Sequence, residues 1–146
     1  MESINIKTDS QRTLCINDDE SRWITFDAED LNFYGRLKVL YSSLGGKQKE
    51  FEVKEAEARA LEGEDENGAP LSALALIDIQ TEFANHVIKG MDDVFGEGTC
   101  HRLFGNSFNP DAYGEVIKAV LAHISKYREK KLQAELKKNP GKKVMK

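Results

Sequence analysis

The stretch Leu71 to Phe95 constrains this chain most, because only a helix gathers its apolar positions onto common faces. Leu74, Ile77, Thr81, Ala84, Ile88, Met91 and Phe95 recur at intervals of three and four, the spacing of a 3.6-residue turn. Leu76, Phe83, Val87 and Val94 form a second stripe beside the first. Such a helix is roughly 37 Å long at about 1.5 Å per residue. One apolar stripe is enough for an ordinary surface helix. Two stripes predict a central helix, or one that also faces a partner.

The residues after this helix read as a joint. In "DDVFGEGTCHRLFGNSFNP", Phe95-Gly96 predicts a helix stop through a left-handed cap, and Gly98-Thr99 lets a short turn begin with Thr99 as its cap. Leu103 and Phe104 then dip into the core, and Gly105 ends the turn. Asn109 is a suitable N-cap and Pro110 suits the first position of a final helix. Tyr113, Val116, Ile117, Val120, Leu121, Ile124 and Tyr127 give that helix one apolar face. Beyond Tyr127 the pattern thins to Leu132 and Leu136 among lysines, so this end is expected to project or fray.

The first 26 residues alternate as β structure does. "SINIKT" and "TLCIN" predict strands with "DSQ" as the turn between them, and "RWITF" a third short strand. A hairpin or meander this small must pack on helices to be stable. Asp27 is the expected N-cap of a helix carrying Leu31, Tyr34, Leu37, Tyr41 and Leu44 on one stripe, widened by Phe33 and Leu40. Gly45-Gly46 is expected to stop it. The segment 47–70 is an acidic, sparsely apolar stretch ending in the loop "EDENGAP". A calcium loop with Gly68 at the glycine position would put its first and twelfth ligands on Gly63 and Leu74, so that reading is excluded. The expected fold is mainly α (α+β): an N-terminal β-hairpin or meander packed on a bundle of three to four helices. Residues 1–136 form one helical domain, and 137–146 a disordered basic tail.

The net charge of −4 is unevenly spread. From Lys126 to Lys146 nine Lys/Arg face two Glu, a net +7, which leaves −11 on the rest. An acidic body with a basic end suits a solvated helix terminus, or a contact with an acidic partner. No apolar run is long enough to span a bilayer, and the N-terminus lacks the pattern of a signal peptide. The two cysteines, Cys15 and Cys100, are too few for a disulfide framework, which points to a cytoplasmic protein with reduced thiols.

No catalytic constellation emerges. Cys100-His101 is a single adjacent pair where zinc needs about four ligands, and adjacent side chains point apart, which disfavours a Cys-His nucleophile. Gly96-Glu97-Gly98 starts like a phosphate loop, but His101 takes the third glycine position and no strand precedes it. Asp92-Asp93 reads as a solvated helix end. No enzyme, metal or cofactor is expected.

The stretches "ITFDAEDLNFYGRL", "MDDVFGEGTCHRLFG" and "NPDAYGEVIKAVLAHI" resemble one family. It is that of the small tail assembly chaperones of long-tailed bacteriophages and prophages, especially of Gram-positive hosts. A similar F-G-x-G-T…L/I-F-G joint links two helices there, and the resemblance spans Ser21 to Tyr127. The acidic segment Glu50 to Glu66 departs from the shorter members. The resemblance implies a non-enzymatic protein of the host cytoplasm that binds the tape measure protein, keeps it soluble, helps recruit tail tube subunits and is absent from the finished virion. It also implies a longer frameshifted form, for which the codons of Gly141-Lys142-Lys143 are the place to look. Tyr34, Tyr41, Ile77, Ile88, Met91 and Phe95 are the candidate partner surface. Gly96, Gly98, Thr99, Leu103, Phe104 and Gly105 are the joint. Rival readings are a structural neck or tail protein that oligomerises, and a nucleic-acid-binding regulator using the basic end. The acidic body argues against the latter.

Overall fold

A computed structural model describes residues 1–6 and 9–138. The chain divides into two compact units, Met1–Phe108 and Asn109–Lys146. The first holds β1 (Gln11–Ile16), β2 (Asp19–Asp27), α1 (Leu31–Arg59), α2 (Leu71–Phe95) and α3 (Thr99–Phe104). The second holds α4 (Pro110–Lys138). The fold is mainly α with a two-stranded antiparallel hairpin packed on helices, as the alternation and periodicity predict.

The hairpin is made by the second and third expected strands. Asn17 and Asp18 take positive φ, 52° and 61°, the two-residue geometry that matches strand twist. Pairing runs from Gln11↔Asp27 to Cys15↔Trp23, then slips to Ile16↔Asp19 across a bulge. The expected first strand does not form over residues 3–6, where Ile4 and Ile6 are 86% and 75% exposed. Lys7 and Thr8 lie outside the described residues. "DSQ" is not the turn either. Ser10 instead closes the open end of the hairpin: its carbonyl accepts from Ala28 N–H at 3.0 Å, and its hydroxyl donates to Asp27 Oδ1 at 2.6 Å.

Asp27 is thereby diverted from the expected capping role. Its carboxylate accepts from the Ser10 hydroxyl and from Glu29 N–H, and these two bonds hold its pKa below the ordinary carboxylate value. The cap is Asp30, whose Oδ1 accepts from Asn32 N–H at 2.9 Å and Phe33 N–H at 3.2 Å. The buried face of α1 is also rotated from the expected stripe. It carries Phe33, Leu37, Leu40, Phe51 and Ala58, while Leu31 and Tyr41 are exposed. The ring of Phe33 sets this rotation, stacking on Phe26 at 5.5 Å and meeting Phe95 edge-on at 5.6 Å.

Gly45-Gly46 does not stop α1. Both lie inside it, and the helix continues because its second half still has something to pack on. Phe51 meets Phe83 of α2 at 5.1 Å, and Lys54 reaches Glu82 of α2 at 3.9 Å. Tertiary contact overrides the roughly 1 kcal/mol that each mid-helix glycine costs. A Cβ added at either position meets no atom within 4 Å. The double substitution Gly45→Ala/Gly46→Ala should therefore stabilise the protein by about 1–2 kcal/mol. Its thermal midpoint should rise by roughly 3–6 °C. An unchanged or lowered midpoint in a thermal melt followed by circular dichroism would show that these turns need glycine.

The loop before α2 forms as expected. Asp65 Oδ1 accepts from Asn67 and Ala69 N–H, both at 2.9 Å, and Gly68 takes φ 85°. The bounds of α2 are those its periodicity predicts. In the second unit, Asn109 Oδ1 accepts from Asp111 N–H at 3.0 Å as α4 begins. Tyr113, Ile117 and Val120, spaced four and three, are its buried residues. From Arg128 onward its side chains are exposed except at Leu136. Of the expected tail, Lys137 and Lys138 are helical and residues 139–146 lie outside the described residues, as does Gly141-Lys142-Lys143. No helix among the described residues is long and apolar enough to cross a membrane.

Candidate functional site

The joint is a folded element in its own right. Gly96, Gly98 and Gly105 all take positive φ, at 110°, 85° and 64°, which only glycine adopts at little cost. Gly98 is the N-terminal flanking residue of α3, so the expected cap, Thr99, is instead its first residue. Thr99 is buried and its hydroxyl donates back to Phe95 O at 3.2 Å. The cap comes from α2. Asp92 accepts from Gly98 N–H at 3.3 Å through one oxygen and from Cys100 N–H at 3.0 Å through the other. Asp92 is thus not a merely solvated helix end. Leu103 is fully buried and Phe104 half-buried, lying beneath the Arg22 guanidinium at 5.7 Å.

Two arginines bind this joint to the hairpin in reciprocal fashion. Arg22 of β2 donates through Nε to Leu103 O at 2.6 Å. Arg102 of α3 donates through Nε to Trp23 O at 2.8 Å, and its guanidinium lies 3.7 Å from the centre of the Trp23 ring. A close guanidinium–indole stack of this kind adds about 0.5–1 kcal/mol where exposed. These contacts give Asp92, Thr99, Arg102 and Leu103 of the joint structural roles. Cys100 is buried with its thiol 3.7 Å from Ile88 O, and His101 is exposed, so the adjacent pair does point apart. Among the described residues no three of His, Cys, Asp and Glu gather as a metal-holding group.

The apolar surface is the other candidate. Of the six expected partner residues, Ile77 is 57% exposed and Tyr41 54%. Tyr34, Ile88 and Phe95 are half-buried. The Tyr34 hydroxyl donates to Ala28 O, and the Phe95 ring is engaged with Phe33. Met91 is completely buried and belongs to the core, because it sits where α2 turns its inner face to the rest of the unit. Leu71 and Leu74 join Ile77 as exposed residues on the first half of α2. The burial of α2 is concentrated in its second half, at Val87 and Met91.

Between α1 and α2 the surface opens into a groove of about 670 Å³. Leu31, Gly35, Val39, Leu40, Gly90 and Val94 give it apolar walls and floor. Asn32, Arg36, Ser43, His86 and Asp93 supply its polar edge. None of the six expected residues lines it. The glycines explain its depth: Gly35 has open space where a Cβ would stand, and a Cβ at Gly90 would meet Leu40 Cδ1 at 2.7 Å. The groove was missed from the sequence; the two helix-interior glycines, each costing helix stability, are the signal that could have found it.

Comparison with known proteins places the chain in a family. The model of DUF6673, a family of unknown function, matches residues 19–144. The chain belongs to that family. The match takes in β2, all four helices and the joint of this DUF6673 protein. No curated protein matches the chain, and no solved structure does.

Proposed function

We propose that this DUF6673 chain is a non-enzymatic tail assembly chaperone of a long-tailed bacteriophage or prophage. It works in the host cytoplasm, binds the tape measure protein, keeps that protein soluble and helps recruit tail tube subunits. The observation that carries the reading is the apolar surface left open on the first half of α2. Leu71, Leu74 and Ile77 stand 38%, 40% and 57% exposed there on a well-formed helix. An amphipathic helix laid on such a surface buries its own i, i+3, i+4 and i+7 residues. The similarity of the joint to that of the chaperones supports the same reading. So does the acidic charge of the first unit, which keeps a coated complex soluble.

The test is co-expression with the tape measure protein of the same genome. The soluble fraction of that protein should rise several-fold when this chain is present, and mass spectrometry of purified particles should find the chain missing. A tape measure protein equally soluble without it would overturn the proposal. So would a stoichiometric place for the chain in the virion, which would make it a neck or tail component.

A further inference from the structure

We infer that the α1–α2 groove is the docking site for the distal half of α4 from a second copy of this chain. Three observations converge on that occupant. The first is charge. Met1–Phe108 carries 21 acidic and 11 basic residues, a net −10, whereas Asn109–Lys146 carries 10 basic and 4 acidic, a net +6. The lining itself is near neutral, with Arg36 against Asp93, so attraction comes from the unit as a whole and acts at long range.

The second observation is the apolar match. The groove offers Leu31, Val39, Leu40 and Val94. The distal part of α4 offers Leu132, 44% exposed, and Leu136 one turn later, on a segment in which charged residues predominate. Leucines four residues apart share a helix face and enter a groove together. The third is length. The α1 wall runs from Leu31 to Ser43 and the basic helical segment from Lys126 to Lys138. Each covers roughly 18 Å at about 1.5 Å per residue. The groove of one copy thus has, on another copy, a helix of matching length and suitable apolar spacing, with a charge opposite to that of the unit that holds the groove.

The contact is one between separate molecules, so its signature is mass that grows with concentration. Sedimentation or light scattering on the full chain should show one chain at low concentration and two or more at high concentration. Salt near 1 M, which cuts the Debye length to about 3 Å, should shift the protein back towards one chain. Gly35→Leu fills the groove from a position where a Cβ meets nothing within 4 Å, and Val39→Asp places a charge on its exposed wall. Leu132→Asp spoils the docking helix instead. Each variant alone should stay at one chain with unchanged helical circular dichroism. A mixture of Gly35→Leu and Leu132→Asp should recover a 1:1 pair, because the first retains a sound helix and the second a sound groove. The proposal is overturned by a wild-type protein that stays at one chain throughout, by either groove variant associating as the wild type does, or by a mixture that fails to pair. None of these results touches the solubility test of the chaperone reading, so the two stand or fall separately.

Discussion

Replacing Phe33 with alanine should cost about 3–5 kcal/mol, more than any other single truncation on α1. Phe33 is 3% exposed and is the point where β2, α1 and α2 meet. Its ring stacks on Phe26 at 5.5 Å with the planes 13° apart, and meets Phe95 at 5.6 Å with the planes at 64°. The offset stack and the edge-on contact are the two arrangements that the ring quadrupole favours, each adding about 0.5–1.5 kcal/mol beyond burial. Truncation removes both and leaves a cavity that three separate elements would have to close. The hairpin has little else to fasten it at this end. Its other fully buried strand residue is Ile24, and a two-stranded ribbon is marginal by itself. The thermal midpoint should therefore fall by roughly 10–15 °C. Phe33→Leu, which keeps most of the volume and loses the ring contacts, should lie between the two. A Phe33→Ala protein that loses less than about 1 kcal/mol would mean that the hairpin is held elsewhere.

The same residue explains what the sequence could and could not reveal. The bounds of α2 were legible because its periodicity is unbroken between Pro70, where a helix can start, and Gly96, where φ turns positive. The face of α1 was not. Its apolar residues cover two adjoining stripes, and the choice between them rests on Phe33 finding Phe26 and Phe95, which no local pattern encodes. Gly45-Gly46 misleads for a related reason. Glycine's cost is local, whereas the gain from Phe51 on Phe83 comes from a helix more than 30 residues away. In the joint, the need for glycine could be read directly, since positive φ belongs to glycine, although Gly96 ends α2 at φ 110° and ψ 146°, outside the left-handed cap expected of it. The partners of the joint could not. Arg22 and Leu103 are 81 residues apart, and Arg102 and Trp23 are 79 apart. Asp92 looked like a solvated acid because its two N–H donors belong to a turn whose shape only the folded chain fixes. The groove was hidden in the same way: it lies on the side of α1 that the rotation of Phe33 leaves facing out.

Leu103→Ala should have the second-largest effect, about 2–5 kcal/mol, and a different signature. Helix α3 has six residues, too few to persist unaided. Leu103, 0% exposed, is the side chain that anchors it from within, and Cys100 is a smaller second anchor. The polar clasps depend on that anchor. Arg22 bonds the Leu103 carbonyl itself, and Arg102 can stack on Trp23 only while α3 holds its register. Truncation should therefore loosen the joint before it melts the long helices. Trp23 reports this directly, because it is the one tryptophan in the chain and is 36% exposed under the Arg102 guanidinium. In a urea titration of Leu103→Ala, Trp23 emission should shift at lower denaturant than the helical circular dichroism signal. In the wild type the two should coincide, as they do when one cooperative unit unfolds. Amide exchange at Cys100 and Arg102 should quicken while that of the α2 core near Val87 changes less. If the two probes still coincide in the variant and the loss is below about 1 kcal/mol, the arginine clasps and the Asp92 cap hold α3 on their own. The joint would then be a hydrogen-bonded element and not a packed one.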